Sequence, residues 1–282
     1  MRTLMLFFVL CLFQSCAEFE SSDLEASYIH FATPRVNAVI GEGAETHNIK
    51  DLWMEMDGDD LGVYPINKTV PFLPENDPTT VFVFPGIKNN GFQTNSVIYP
   101  FYNWIELNQS FVPNALDTVT LDFTYRSDTK FSFIEDFEGN HVFTRDQDDD
   151  PDSFLIVEQE ENGNNVGVLT LTADHPQLGV SNILNYNDIP LTGRPVYLEL
   201  DYKNNIPFEI GIVGVVSETQ DFTNVKIILN PKDDWNKIYI DFTEDVSLSQ
   251  LDAYRIVFAS VFEPDQSGEQ KIFIDNVKLV HF

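Results

Sequence analysis

The 282-residue chain holds 45 aspartates and glutamates, five histidines and two cysteines. The histidines His30, His47, His141, His175 and His281 show no pair at the spacing of a helical zinc site, and no serine stands in a G-x-S-x-G elbow. Paired carboxylates can run glycoside hydrolysis at separations of about 5 to 9.5 Å. So acidic a chain, however, brings some pair into that range by chance. The acids of Asp146-Gln147-Asp148-Asp149-Asp150-Pro151-Asp152 alternate as in calcium loops. Pro151 stands near where such loops need a flexible glycine, and no bidentate glutamate follows, so the run reads as a solvated loop. Aromatic side chains offer binding instead of catalysis. The run Tyr99-Pro100-Phe101-Tyr102-Asn103-Trp104 would put rings on both faces of a strand. Tyr186, Trp235 and Tyr239 are the candidate rings for stacking on a sugar or anchoring a protein. The expectation is a binding protein without catalytic residues.

Both cysteines, Cys11 and Cys16, fall in the first sixteen residues, so the remainder has neither a disulfide nor thiol chemistry. Arg2, the apolar run Leu4 to Phe13 and the small Ser15 form the charged, hydrophobic and exit regions of a secretory signal peptide over residues 1–15. Ser15-Cys16 resembles the bacterial lipobox, although Phe13 and Gln14 depart from its strictest form. That resemblance implies that Cys16 is acylated, and each buried methylene of the acyl chains contributes about 0.8 kcal/mol to anchoring. The acidic tether over residues 16–27 is similar to the export signal of surface-exposed Bacteroidota lipoproteins. The expected location is therefore the outer membrane, lipid-anchored and facing out.

With 16 basic residues the formal net charge is −29, which repels nucleic acid and anionic head groups and favours solubility. The 24 phenylalanines, 10 tyrosines, 15 prolines and 14 glycines, with apolar residues recurring at every second position, read as short strands in sandwiches. The first domain is expected at 28–127. In it Leu52, Met54 and Met56 share a face, Asp57-Gly58-Asp59-Asp60 turns, Thr79 to Phe84 forms a strand closed by Pro85-Gly86, and Val97 to Trp104 and Thr118 to Tyr125 complete the set. The second is expected at 131–282, with strands at Val166 to Leu171, Val196 to Tyr202, Phe208 to Val216, Trp235 to Phe242, Ala253 to Phe262 and Lys271 to Val280.

Two resemblances rest on these segments. Glu135-Asp136-Phe137-Glu138-Gly139, Val196 to Tyr202, Trp235 to Phe242 and Ile272 to Leu279 resemble the galactose-binding-like jelly rolls of carbohydrate-binding modules. Asp51 to Gly58, Leu61 to Pro65, Phe84 to Gly91 and Tyr99 to Tyr102 look like the immunoglobulin-like domains of bacterial envelope proteins. Together the halves resemble a group of Bacteroidota outer-membrane lipoproteins, which implies an all-β chain of an immunoglobulin-like sandwich followed by a jelly roll. The jelly-roll resemblance further implies a structural calcium where the opening acidic strand meets the last strand, on Asp136, Glu138 and Asp275. The expected function is a non-enzymatic interaction subunit of an outer-membrane protein complex; the alternative is a glycan-binding surface lipoprotein.

Overall fold

The computed structural model describes residues 25–217 and 220–282. The N-terminal half is built from β1 (Ser27–Phe31), β2 (Arg35–Val36), β3 (Asp51–Met56), β4 (Asp59–Pro65), β5 (Thr69–Phe72), β6 (Thr79–Lys88), β7 (Ser96–Ile98), β8 (Ile105–Gln109), β9 (Leu116–Val119) and β10 (Asp122–Phe123). One sheet runs β4-β3-β6-β7, with β8 also on β6. The facing layer is β5-β1-β9 with the short β10-β2 ladder. In this layer the first and last strands of the half run parallel, β1 on β9 and β2 on β10, which closes an immunoglobulin-like sandwich. The Asp57-Gly58 turn works as its sequence suggests: both residues have positive φ, 51° and 97°, the conformation a two-residue hairpin needs. Leu52 and Met54 enter the core as the alternation requires.

Three details depart from the sequence reading. Pro85-Gly86 does not close a strand, because β6 continues to Lys88. Although Pro85 lacks an N–H, its carbonyl accepts from Tyr99 N at 2.9 Å, so the ladder passes through it. The run from Val97 to Trp104 is likewise not one strand: the chain bends between β7 and β8, which buries Tyr99, Phe101 and Tyr102 together and leaves Trp104 49% exposed. The segment Thr118 to Tyr125 is also split, between β9 and β10.

The C-terminal half is a jelly roll of two facing sheets. One orders β13 (Ile156–Gln159), β14 (Asn165–Leu171), β21 (Gln270–His281), β16 (Val196–Asn204) and β19 (Lys232–Asp241), with β11 (Lys130–Glu135) also on β21. The other orders β12 (Phe143–Asp146), β15 (Gln177–Asn182), β20 (Ala253–Val261), β17 (Phe208–Ser217) and β18 (Gln220–Leu229). A short helix, α1 (Thr243–Ser249), follows β19. Leu198, Leu200, Ile210, Ile256, Phe258, Ile274 and Leu279 meet between the sheets. The aspartate run before Pro151 is a tight turn in which Asp146 Oδ1 accepts from the backbone N–H groups of Asp148 and Asp149, at 2.9 Å each.

The halves are welded through the outer face of β16, β19 and β21. Tyr197, Tyr239 and Val280 belong to the N-terminal core, and the Tyr99 ring lies 4.7 Å from that of Tyr239 and 5.6 Å from that of Tyr197. Backbone bonds extend the join, with Asn90 N donating to Tyr239 O at 3.0 Å and Asn48 N to Tyr239 Oη at 3.1 Å. Within this interface Glu199 is fully buried. It accepts from Tyr99 Oη at 2.6 Å and Tyr125 Oη at 2.8 Å, and pairs with Lys237 Nζ at 3.3 Å. Lys278 Nζ donates to Ala44 O at 2.6 Å and Tyr125 Oη at 3.2 Å. Burial alone would raise the Glu199 carboxyl, but Lys237, Lys278 and the two phenols outweigh it and hold the group below its ordinary value. Burial also pushes Lys278 down to about 8. Gly43 lets the β2–β3 connection reach this interface: its φ is +75°, and a Cβ there would stand 2.9 Å from Lys278 Cε and 3.0 Å from Ile134 Cγ2.

Candidate ligand groove at the domain junction

Strand alternation builds the site. Side chains on the outer face of β16 are Tyr197, Glu199, Asp201 and Lys203, and register sets Asp201 opposite Lys237 on β19 and Asp275 on β21. Lys203 stands opposite Phe273. The N-terminal half covers the rows at Tyr197 and Glu199 and ends at Lys237 in the next, where Lys237 Nζ donates to Thr46 Oγ1 at 3.3 Å and Asn48 Nδ2 to Lys237 O at 2.7 Å. The next rows border an open cleft of about 390 Å³, walled by Thr46 and His47 from the N-terminal half and by Trp235, Asn236, Asn164 and Asn276 from the jelly roll. A second recess of about 550 Å³ shares Glu160, Asn162 and Trp235 with it and runs on past Lys203 and Phe273. The two form one groove.

Its aromatic part is organised by charge. Trp235 is 36% exposed, and its Nε1–H donates to both carboxylate oxygens of Glu160 at 3.3 Å. Lys203 is ion-paired with Glu160 and holds its ammonium 4.9 Å from the centroid of the Trp235 ring and 4.7 Å from that of Phe273. The polar part is a carboxylate row. The Asn276 amide donates to Asp201 Oδ2 at 2.9 Å and to Asp275 Oδ2 at 3.1 Å. Asp275 also accepts from Asn164 Nδ2 at 3.0 Å and Asn276 N at 2.7 Å. Burial, aided by the nearby Asp201 and Asp136 charges and opposed by these amides, raises the Asp275 carboxyl to about 6. Burial lowers His47, which favours its neutral form.

The expected ligand rings are not brought onto one platform. Trp235 lines the groove, whereas Tyr239 is 1% exposed and covered by Tyr99. Tyr186 lies elsewhere, stacked on Phe133 at 5.0 Å and bridged to Tyr254. The residues expected to hold calcium each accept from amide N–H groups. Asp136 caps Glu138 N at 3.2 Å, Glu138 holds Asn165 N and Nδ2 at 3.0 and 2.8 Å, and Asp275 is engaged by the asparagines. Among the described residues no three acidic, histidine or cysteine side chains form a group that could hold a metal. Sequence reasoning missed Asp201, Lys203 and Phe273. The signal was present, because polar residues alternate through a strand whose other face is Leu198 and Leu200 and must point somewhere wet or paired. Cys16 lies outside the described residues, and among those residues no helix is long and apolar enough to cross a membrane.

The molecule is thus a two-domain β protein whose jelly roll presents a groove beside its immunoglobulin-like partner. No protein-family model matches the chain, and no curated protein does. Solved structures similar to it include a family 11 carbohydrate-binding module from Clostridium thermocellum in complex with a β-1,3-1,4-mixed-linked tetrasaccharide. It has 16% identity over 54% of this chain and 94% of that one, with a TM-score of 0.38. A family 29 carbohydrate-binding module has 14% identity over 55% and 88%, TM-score 0.34. The C-terminal family 22 module of Clostridium thermocellum Xyn10B has 13% over 54% and 94%, TM-score 0.35. At these scores the likeness assigns no ligand to this chain.

Proposed function

We propose that this protein is a lipid-anchored, non-enzymatic glycan-binding protein of the outer membrane surface, with the Trp235 groove as its binding site. The observation that carries the reading is the pairing of an accessible indole with fixed polar groups. A pyranose presents an apolar face to a ring and hydroxyls at its rim, and Trp235 and Phe273 offer rings while Asn162, Asn164, Asn236 and Asn276 offer amides. The groove is bordered by strands and by the welded interface, so little ordering is needed on binding. Trp235→Ala removes the ring and should weaken oligosaccharide binding by ~2 kcal/mol, roughly thirtyfold in Kd. Titration calorimetry against a panel of soluble oligosaccharides tests this; binding unchanged by the substitution rules the groove out. The anchor rests on Cys16 and the apolar run before it. Mass spectrometry of the native protein should find an acylated Cys16 as the first residue, and an intact Met1 or unmodified Cys16 refutes the anchor.

A second reading, a docking subunit of an outer-membrane protein complex, is favoured by one patch. On edge strand β18, Phe222, Val225 and Ile228 are 59%, 45% and 57% exposed, and Leu248 of α1 is 75% exposed. Co-purification of a stoichiometric membrane protein in mild detergent, lost in Phe222→Asp, would support it; purification as a lone chain would refute it.

A further inference from the structure

The groove carries a charge imbalance that stacking on a neutral sugar does not use. Asp275 is only 5% exposed, yet each of its hydrogen bonds comes from a neutral amide: Asn164 Nδ2, Asn276 Nδ2 and the Asn276 backbone. Among the described residues no lysine, arginine or histidine forms an ion pair with it. Its neighbour Asp201, 7% exposed, has a cation only at 3.7 Å, and that cation is Lys237, already committed to Glu199 at 3.3 Å. A single asparagine amide therefore separates two buried carboxylates, of which only Asp201 has part of an ammonium. Buried anions are costly unless compensated, and amide hydrogen bonds supply dipoles, not charge. Further along, Lys203 is bound to Glu160 and Lys271 to Glu158, while Glu161 adds negative charge to the same lining. The open end of the Lys237–Asp201–Asp275 row thus presents carboxylate acceptors that, among the described residues, only amides and Lys237 engage.

Resting on the glycan reading above, we propose that the groove selects amino sugars, a free ammonium on the pyranose lying against Asp275 and Asp201 while the ring covers Trp235. An ammonium has three donors and no acceptor, which matches carboxylates that only accept. An N-acetyl group at the same position loses the charge and two of the donors. A uronic acid in the same place would meet like charge. The raised Asp275 carboxyl agrees, since a nearby cation would favour its ionised form.

The test uses the full chain in detergent, titrated calorimetrically with a β-1,4-linked glucosamine hexasaccharide and with its fully N-acetylated counterpart. The deacetylated oligomer should bind roughly tenfold or more tightly, with the preference shrinking several-fold between low and 0.5 M salt. Asp275→Asn should bring the two ligands to similar affinity, whereas Trp235→Ala should weaken both. Equal binding of the two oligomers by the wild type overturns the amino-sugar inference and leaves the groove as a glycan site. So does a preference that survives Asp275→Asn, which marks adsorption to the acidic surface. Binding of neither oligomer, nor of any in the wider panel, removes the groove reading itself and the inference with it. If Asp275→Asn fails to fold, Asp201→Asn takes its place in the same comparison, with the same outcomes expected and the same ones overturning the inference.

Discussion

Glu199→Gln should be among the most damaging isosteric changes available to this chain. Glu199 is fully buried and its contacts cross the domain junction: Tyr99 and Tyr125 come from one half, Lys237 from the other. Glutamine keeps the shape and can still accept from the phenols, so the loss is that of the charge. Lys237, 3% exposed at its side chain, then keeps Asp201 at 3.7 Å as its one charged partner, beside the Thr46 hydroxyl at 3.3 Å, and Lys278 loses the attraction that offsets its burial. Removing one partner of a buried ion pair costs about 3–5 kcal/mol, and the two tyrosine bonds each weaken when their acceptor becomes neutral. Because these terms share one network they do not add, and about 4 kcal/mol is the expected total. Against a typical stability of about 5–15 kcal/mol this is a large fraction. Urea unfolding followed by tryptophan fluorescence should show it. The wild type should unfold in one transition because the network ties the halves together, and the variant in two, with the segment between Phe123 and Lys130 becoming open to proteolysis. A loss under about 1 kcal/mol with one transition retained would mean that the carboxylate is not the counter-ion that holds the interface, and the coupling argument would fail.

Other outcomes follow from the same geometry. Asp275, raised to about 6 from an ordinary 3.8, binds its proton more tightly folded than unfolded. Its contribution is therefore fully present below about pH 4 and lost as pH rises through 6, at most about 3 kcal/mol in all. Asp275→Asn should erase that slope in melting curves taken between pH 4 and 7. Lys278, lowered to about 8 from 10.5, binds its proton less tightly when folded, so its burial penalty is relieved as pH rises from 8 towards 10.5; Lys278→Met should flatten stability over that window. Gly43→Ala meets both a left-handed φ and contacts at 2.9 and 3.0 Å, and should cost about 1–3 kcal/mol by chemical denaturation.

Composition and alternation were enough to establish an all-β chain, because strands with one buried face must show period two, as Leu52 and Met54 or Leu198 and Leu200 do. The Asp57-Gly58 hairpin was legible for a similarly local reason, its residue types being those that tolerate positive φ at both positions. Trp235 could be singled out by type, but sequence gives no access to which rings stay wet. Tyr239 lies four residues away on the same strand and the same face, and it is buried because the N-terminal half sits on that row and ends before Trp235. The partnership of Asp201 with Asp275 spans 74 positions of chain and exists only because β16 and β21 are neighbours in a particular register. What only the tertiary structure decided is thus where one domain stops covering the other. Burial is a property of neighbours in space, and the edge of that cover turns one stretch of a strand into core and the next into a groove.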